Sequence, residues 1–99
     1  MSEAKHTPGP WHLDAQESFD GRATYHFYRV FDDNLNAICC EEYGAHNDGG
    51  LANMRLIAAA PDLLAALELT HAALSGANMN MKVVESKARA AIAKAKGGA

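Results

Sequence analysis

The spacing of apolar residues changes once along the chain, and this change most constrains the fold. Before residue 44 apolar and polar side chains tend to alternate, which is the period of a half-buried strand. From about residue 51 apolar residues recur every three or four positions, the period of an amphipathic helix. Six of the seven aromatic residues lie before residue 32, whereas sixteen of the twenty alanines lie from Ala45 onward. The sequence therefore predicts an aromatic sheet followed by an alanine-rich helical layer.

Three short strands are predicted, at about residues 10–16, 23–31 and 36–43, with polar turns between them. Asp20-Gly21 supplies the first turn, and Asp32-Asp33-Asn34 supplies the second. Short connections of this kind favour an antiparallel meander. In the middle strand, alternation divides the side chains between two faces, and both faces carry aromatic rings. One face bears Tyr25, Phe27, Arg29 and Phe31, and the other bears Thr24, His26, Tyr28 and Val30.

The segment before the first strand is rich in proline. Pro8 presets φ for the second position of a turn, and Gly9 is predicted to supply the positive φ of a type II turn. Because Pro10 excludes a helix here, the segment is expected to be rigid and to direct Trp11 inward.

Helices are predicted at about residues 51–59, 61–74 and 80–96, because Pro61 disfavours helical geometry at the residue before it but suits the first position of a new helix. The second helix is apolar nearly all round, with Leu63, Leu67 and Leu74 on one face. That profile suits either a helix packed between layers or a partner interface. The predicted fold class is α+β, a single domain over residues 1–99. A three-stranded antiparallel β-meander (about 10–43) precedes two or three α-helices packed on one sheet face (about 50–96).

Charge and hydropathy exclude several classes of function. The net charge is −3, and residues 1–60 carry four basic and nine acidic groups. This balance argues against direct nucleic-acid binding, which needs a basic face to displace counterions from phosphates. No apolar run approaches the 18 residues of a membrane helix, and the first residues lack an apolar signal segment. We expect a cytoplasmic protein with no membrane partner.

The residue types that carry enzyme or metal chemistry are present but scattered. The spacing of the five histidines matches no zinc motif, and His12 with His26 would give at most two ligands across the first hairpin. Cys40 near His26 or His46 is the one candidate for a nucleophile and its base. Cys39 and Cys40 are adjacent, so in a strand their side chains point to opposite faces. We therefore expect no metal, no cofactor and no catalytic residue.

The aromatic sheet offers a different kind of site. Tyr25 or Tyr28 together with Arg29 could anchor a protein partner, because tyrosine and arginine are favoured at interface centres. The acidic Glu41 and Glu42 would form the rim, although a solvated strand edge that discourages aggregation also explains them. Self-association through the same face, giving a homodimer, is the competing expectation.

Two segments resemble a family of small proteins encoded by bacteriophages and prophages. They are His6-Thr-Pro-Gly-Pro-Trp11 and Ala52-Asn-Met-Arg-Leu-Ile-Ala-Ala-Ala-Pro-Asp-Leu-Leu-Ala-Ala-Leu67. The chain departs from the usual pattern at residues 49–51, where Gly-Gly-Leu replaces a common acidic helix start. The resemblance brings no catalytic residue with it. It implies a non-enzymatic phage protein that binds and inhibits a host protein, and bacterial immune factors, the targets of anti-CRISPR proteins, are a prominent class of such partners.

Two alternatives stay open at this stage. A small-ligand binder, such as a sponge for a nucleotide signal, would use Arg29, Arg55 or Lys82 for phosphate and Tyr28 to stack on a base. A virion or assembly protein would instead be found in purified particles.

Overall fold

The computed structural model describes residues 6–43 and 50–97, and it confirms the predicted α+β fold. Three antiparallel strands lie in the order β1-β2-β3 and are followed by three helices. Each element begins and ends close to its predicted position. The strands are β1 (His12–Phe19), β2 (Thr24–Phe31) and β3 (Ala37–Tyr43), and the helices are α1 (Gly50–Ala58), α2 (Ala60–Leu74) and α3 (Met81–Lys96).

Turn and cap residues fix these boundaries. Gly21 adopts φ +95° in the first turn. In the same turn Asp20 Oδ1 accepts hydrogen bonds from the backbone N–H groups of Arg22 and Ala23. Asn80 caps α3 by accepting a hydrogen bond from the Lys82 backbone N–H at 3.0 Å. Gly97 ends the same helix at φ +78°. Asn47 and Asp48 precede α1 in the sequence and are residue types that suit a helix N-cap, but both lie outside the described residues.

The core lies between the middle strand and the first helix. Tyr28 and Val30 of β2 pack against Met54 and Ala58 of α1, and neither Val30 nor Met54 has any exposed surface. Partly buried side chains surround this cluster: Trp11, Leu13, Ile38, Cys39, Leu51 and Ile57. Alternation along β2 thus sends Tyr28 and Val30 towards the helices and Phe27 and Arg29 away from them.

The helices do not lie equally on the sheet. Among the described residues α1 carries the main contacts with β1 and β2, whereas α2 and α3 pack mainly on each other, and α3 also packs on α1. The small side chains of Ala66 in α2 and Ala91 in α3 are buried, as expected where two helices approach closely. Along α3, Val84 and Ala91 are buried and Ile92 is 48% exposed.

The N-terminal segment (residues 6–11) packs against the start of α2. Gly9 does not have the positive φ that the sequence predicts. The structure gives this glycine a different role, because a Cβ placed there would lie 2.6 Å from Cβ of Pro61. Lys94 of α3 closes the same junction, donating to the Trp11 carbonyl oxygen at 3.0 Å and to Asp62 Oδ2 at 2.6 Å. The two sequence segments behind the phage resemblance therefore meet at one structural contact.

The Gly9→Ala substitution is expected to lower the free energy of unfolding by about 1–3 kcal/mol, the usual penalty for forcing an extra carbon into a packed site. A double-mutant cycle with Pro61→Gly checks the cause, because removing the Pro61 side chain should relieve most of the added penalty. Urea denaturation of the four proteins measures the coupling. Strictly additive effects would show that the close approach of Gly9 and Pro61 does not cause the loss of stability in Gly9→Ala.

Asp32 organises the turn between β2 and β3, and this residue is only 6% exposed. Its Oδ1 accepts hydrogen bonds from the backbone N–H groups of Asn34 and Asn36, and its Oδ2 accepts one from the Asn36 side chain. These bonds favour the carboxylate, with the Asn36 side chain as the largest cause, and they lower the pKa of Asp32. This arrangement also holds Leu35 at φ +65°.

Folding stability is expected to fall in acid because the folded state lowers the pKa of Asp32. A lowered pKa adds stability that is present above pH 4 and is lost as the carboxylate becomes protonated below it. The backbone N–H groups of Ala23 and Arg22 lower the pKa of Asp20 in the same direction. Asp32→Asn should therefore lose less stability between pH 5 and pH 2.5 than the wild type, measured by denaturant midpoints. Equal losses in the two proteins would contradict the role given to Asp32.

Candidate protein-binding surface

The sheet face opposite α1 bears Tyr25, Phe27, Arg29 and Phe31 of β2, and we call it the open face. No described helix packs on it. Phe27 is 39% exposed and Arg29 is exposed, while Tyr25 and Phe31 are half-buried. Strand register continues this face onto both neighbours, because Asp14 pairs with Arg29 on one side and Cys40 pairs with Arg29 on the other.

The aromatic and charged side chains at one end of the open face hold one another in place. The Arg29 guanidinium lies over the Phe31 ring, 5.0 Å from its centroid. His12 is adjacent to the same ring with 5.5 Å between centroids, and its Nε2 lies 2.6 Å from Asp33 Oδ1. Side chains ordered before binding lose less conformational entropy in a complex. This end of the face is thus suited to bind a protein surface.

The structure separates the residues that the sequence proposed for partner binding. Tyr25 and Arg29 lie on the open face, as the alternation of β2 requires. Tyr28 does not: it is 5% exposed and belongs to the core, because α1 packs on its side of the sheet. Glu41 and Glu42 belong to β3, and their backbones pair with Tyr28 and Phe27 of β2. The side chains of these two glutamates lie outside the described part of the chain.

Alternation along β2 places Phe27 and Phe31 on the same strand face as Tyr25, but neither is among the residues predicted to bind a partner. Nor are His12 and Asp33, which come together only when β1 pairs with β2. The alternation of β2 was a sufficient signal for the two phenylalanines. The His12–Asp33 contact joins residues 21 positions apart, and no local pattern indicates it.

Among the residues that the structure describes, the side chains that enzyme or metal chemistry would need do not come together. His12 pairs with Phe31 and His26 pairs with Glu17, which places the two histidines on opposite sheet faces. Cys40 lies on the open face beside Arg29, whereas His26 lies on the other face, and His46 is outside the described residues. Cys39 packs against the core and Cys40 is exposed, as adjacent strand residues should be. Within residues 6–43 and 50–97 no group of three or more metal-ligating side chains is found.

The residues considered for nucleotide binding are likewise separated. Arg29 lies on the open face, Tyr28 is in the core, and Lys82 lies in the first turn of α3. Arg55 packs close to Gly97 and lines a groove of about 270 Å³ with Trp11, His12 and Lys94. That volume is below the roughly 300 Å³ of small ligand pockets. The geometry therefore gives no support to a phosphate site built from these four residues.

Two larger grooves lie along α2. One, of about 470 Å³, runs between α2 and α3 and is lined largely by alanines, with Lys87, Asp62 and Lys94 at its polar edge. The other, of about 580 Å³, separates α2 from the N-terminal segment. Lys94 lines the 470 Å³ groove and also the 270 Å³ groove, but its ammonium group already contacts Asp62 and the Trp11 carbonyl oxygen.

Comparison with protein families finds a phage family that matches along the whole chain. A family model described as Salmonella phage P22 protein Y8K6 matches residues 1–99. No curated protein and no solved structure matches the chain. Within the described residues no single helix has the length and hydropathy to cross a membrane, and only α1 with α2, bent by 52°, meets that test as a pair.

Proposed function

The chain belongs to the family of Salmonella phage P22 protein Y8K6, and from this premise we propose that it is a non-enzymatic accessory protein that binds and inhibits a host protein. The observation that carries the proposal is the open face, where Phe27 and Arg29 are exposed and no helix among the described residues packs over them. Exposed aromatic and arginine side chains at the centre of a surface are typical of interface anchors.

The proposed contact has an aromatic centre and a mixed charged border. Phe27 and Tyr25 would insert into apolar depressions of the partner, and Arg29 would meet a carboxylate while stacked on Phe31. Asp14, opposite Arg29 in the sheet, gives the border negative charge as well. A border of both signs suits a protein surface better than a uniformly negative phosphate backbone.

The proposed partner is a cytoplasmic host factor, and a bacterial immune complex, as for anti-CRISPR proteins, is the first one to test. A phage sensitive to host immunity is plated on immune cells that express the wild-type chain or one of two charged variants. Phe27→Asp changes the open face, and Phe19→Asp changes a 69% exposed ring on the opposite face of the same hairpin. We expect plating to be restored by the wild type and by Phe19→Asp but not by Phe27→Asp.

A partner other than an immune factor would give a different pattern. The chain would then fail to restore plating, but affinity capture from host extract would still enrich one protein with wild type and Phe19→Asp baits and lose it with Phe27→Asp. Equal capture by all three baits, together with no rescue of plating, would exclude the open face as the inhibitory surface. Recovery of the chain from purified virions would instead support the assembly role.

A further inference from the structure

Among the described residues, the second helix leaves a row of mostly apolar side chains exposed. Only Ala66 of α2 is buried, because this helix contacts α3 along one narrow side. Leu67 is 66% exposed and Leu74 is 81% exposed. Five exposed residues recur at alternating intervals of four and three, which is the spacing of a coiled-coil seam. They are Ala60, Leu64, Leu67, His71 and Leu74, and we call them the α2 seam.

Three leucines supply most of the apolar surface of the α2 seam. Besides Leu67 and Leu74, Leu64 is 40% exposed. Apolar surface that is removed from water contributes about 25 cal/mol per Å². Covering these three leucines with a second apolar helix face would therefore be favourable.

We propose that the α2 seam binds the α2 seam of a second copy of this chain, forming a twofold antiparallel homodimer. A twofold axis between the two helices, level with position 69, would bring Leu64 against Leu74 of the partner subunit, and Leu67 against His71 of the partner subunit. The same register brings the Glu68 carboxylate close to the imidazole of the partner's His71, twice. A parallel pair would lose this complementarity and would place the two His71 rings against each other.

The composition of α2 favours a second copy over a lipid surface. Helices that lie on membranes carry lysine and arginine on their polar side, which attract anionic lipids. Helix α2 contains no lysine or arginine, and its charged side chains are Asp62 and Glu68. A single polar residue within an apolar seam is a common device for setting register, and His71 occupies such a position.

Sedimentation equilibrium tests the proposal directly. The wild type should sediment at about twice the monomer mass of 10.6 kDa, and Leu67→Glu should sediment as a monomer. Leu35→Glu is the matched control, because Leu35 is 71% exposed in the β2–β3 turn, away from α2. Leu74→Glu repeats the test at a second seam position. Circular dichroism confirms that each variant is folded, which is expected because both seam leucines are largely exposed.

Cross-linking tests the antiparallel register in a background with Cys39→Ser and Cys40→Ser. Chains carrying Leu67→Cys should form disulfides with chains carrying His71→Cys, and neither should cross-link efficiently with itself. Wild-type protein that is monomeric at 100 μM would overturn the proposal, and so would a Leu67→Glu protein that remains a dimer. Monomers that bind anionic vesicles through Leu67 would assign the α2 seam to a membrane instead. The open-face variants leave the α2 seam intact, so failure of this proposal is separable from failure of the proposed function.

Discussion

Met54→Ala is expected to lower the free energy of unfolding by about 2–5 kcal/mol, the range for large-to-small changes in a packed core. Met54 has no exposed surface and lies where α1 meets Tyr28 and Val30. Because this small cluster supplies the main contact between sheet and helices, a cavity there has few neighbours that can close it. This loss is a large share of the whole free energy of unfolding, which is only about 5–15 kcal/mol for a typical domain.

Met81→Ala is the matched control for that prediction. Met81 is 59% exposed at the start of α3, and alanine favours a helix, so the expected change is within about 0.5 kcal/mol. Urea denaturation followed by circular dichroism measures both variants. Similar effects of the two substitutions would mean that the core is not centred on Met54.

The second large effect concerns the proposed inhibitory contact. Phe27→Ala is expected to weaken the affinity for the host partner by about 30-fold or more, equivalent to about 2 kcal/mol, the threshold of an interface hot spot. Phe27 is the exposed ring at the middle of the open face, so truncation removes apolar area that the partner would cover. Isothermal titration calorimetry with the captured partner gives the dissociation constant.

Phe19→Ala controls for the loss of an exposed ring from the same hairpin. Phe19 pairs with Thr24, on the sheet face opposite Phe27, and its removal should change the affinity by no more than about twofold. Thermal melting of both variants checks that the sheet is intact. A Phe19→Ala protein that binds as weakly as Phe27→Ala would move the contact away from the open face.

The sequence predicted the elements well because their signals are local. Alternation, the Asp20-Gly21 turn, Pro61 and Gly97 each act within a few residues, and the helices and strands begin close to where those signals place them. The face of β2 that becomes buried was beyond local reasoning. Both faces carry aromatic rings, so Tyr25 and Tyr28 were equivalent until α1 was placed against Tyr28.

Gly9 and Leu67 illustrate the same limit in different ways. Sequence reasoning gave Gly9 a turn conformation, but its lack of a side chain is needed for the approach of Pro61, 52 residues later in the chain. The apolar character of α2 was evident, yet it fitted burial and an interface equally well. Only the three-dimensional arrangement leaves Leu67 exposed, because α2 packs mainly on α3.

The central claim is that the host partner binds to the open face and covers it. Hydroxyl-radical footprinting of the purified complex tests it most directly, because aromatic side chains are oxidised readily when exposed and are protected when covered. The account predicts that Phe27 and Tyr25 become protected in the complex while Phe19 is oxidised as in the free protein. Unchanged oxidation of Phe27, with protection confined to Leu67 and Leu74 of α2, would contradict it.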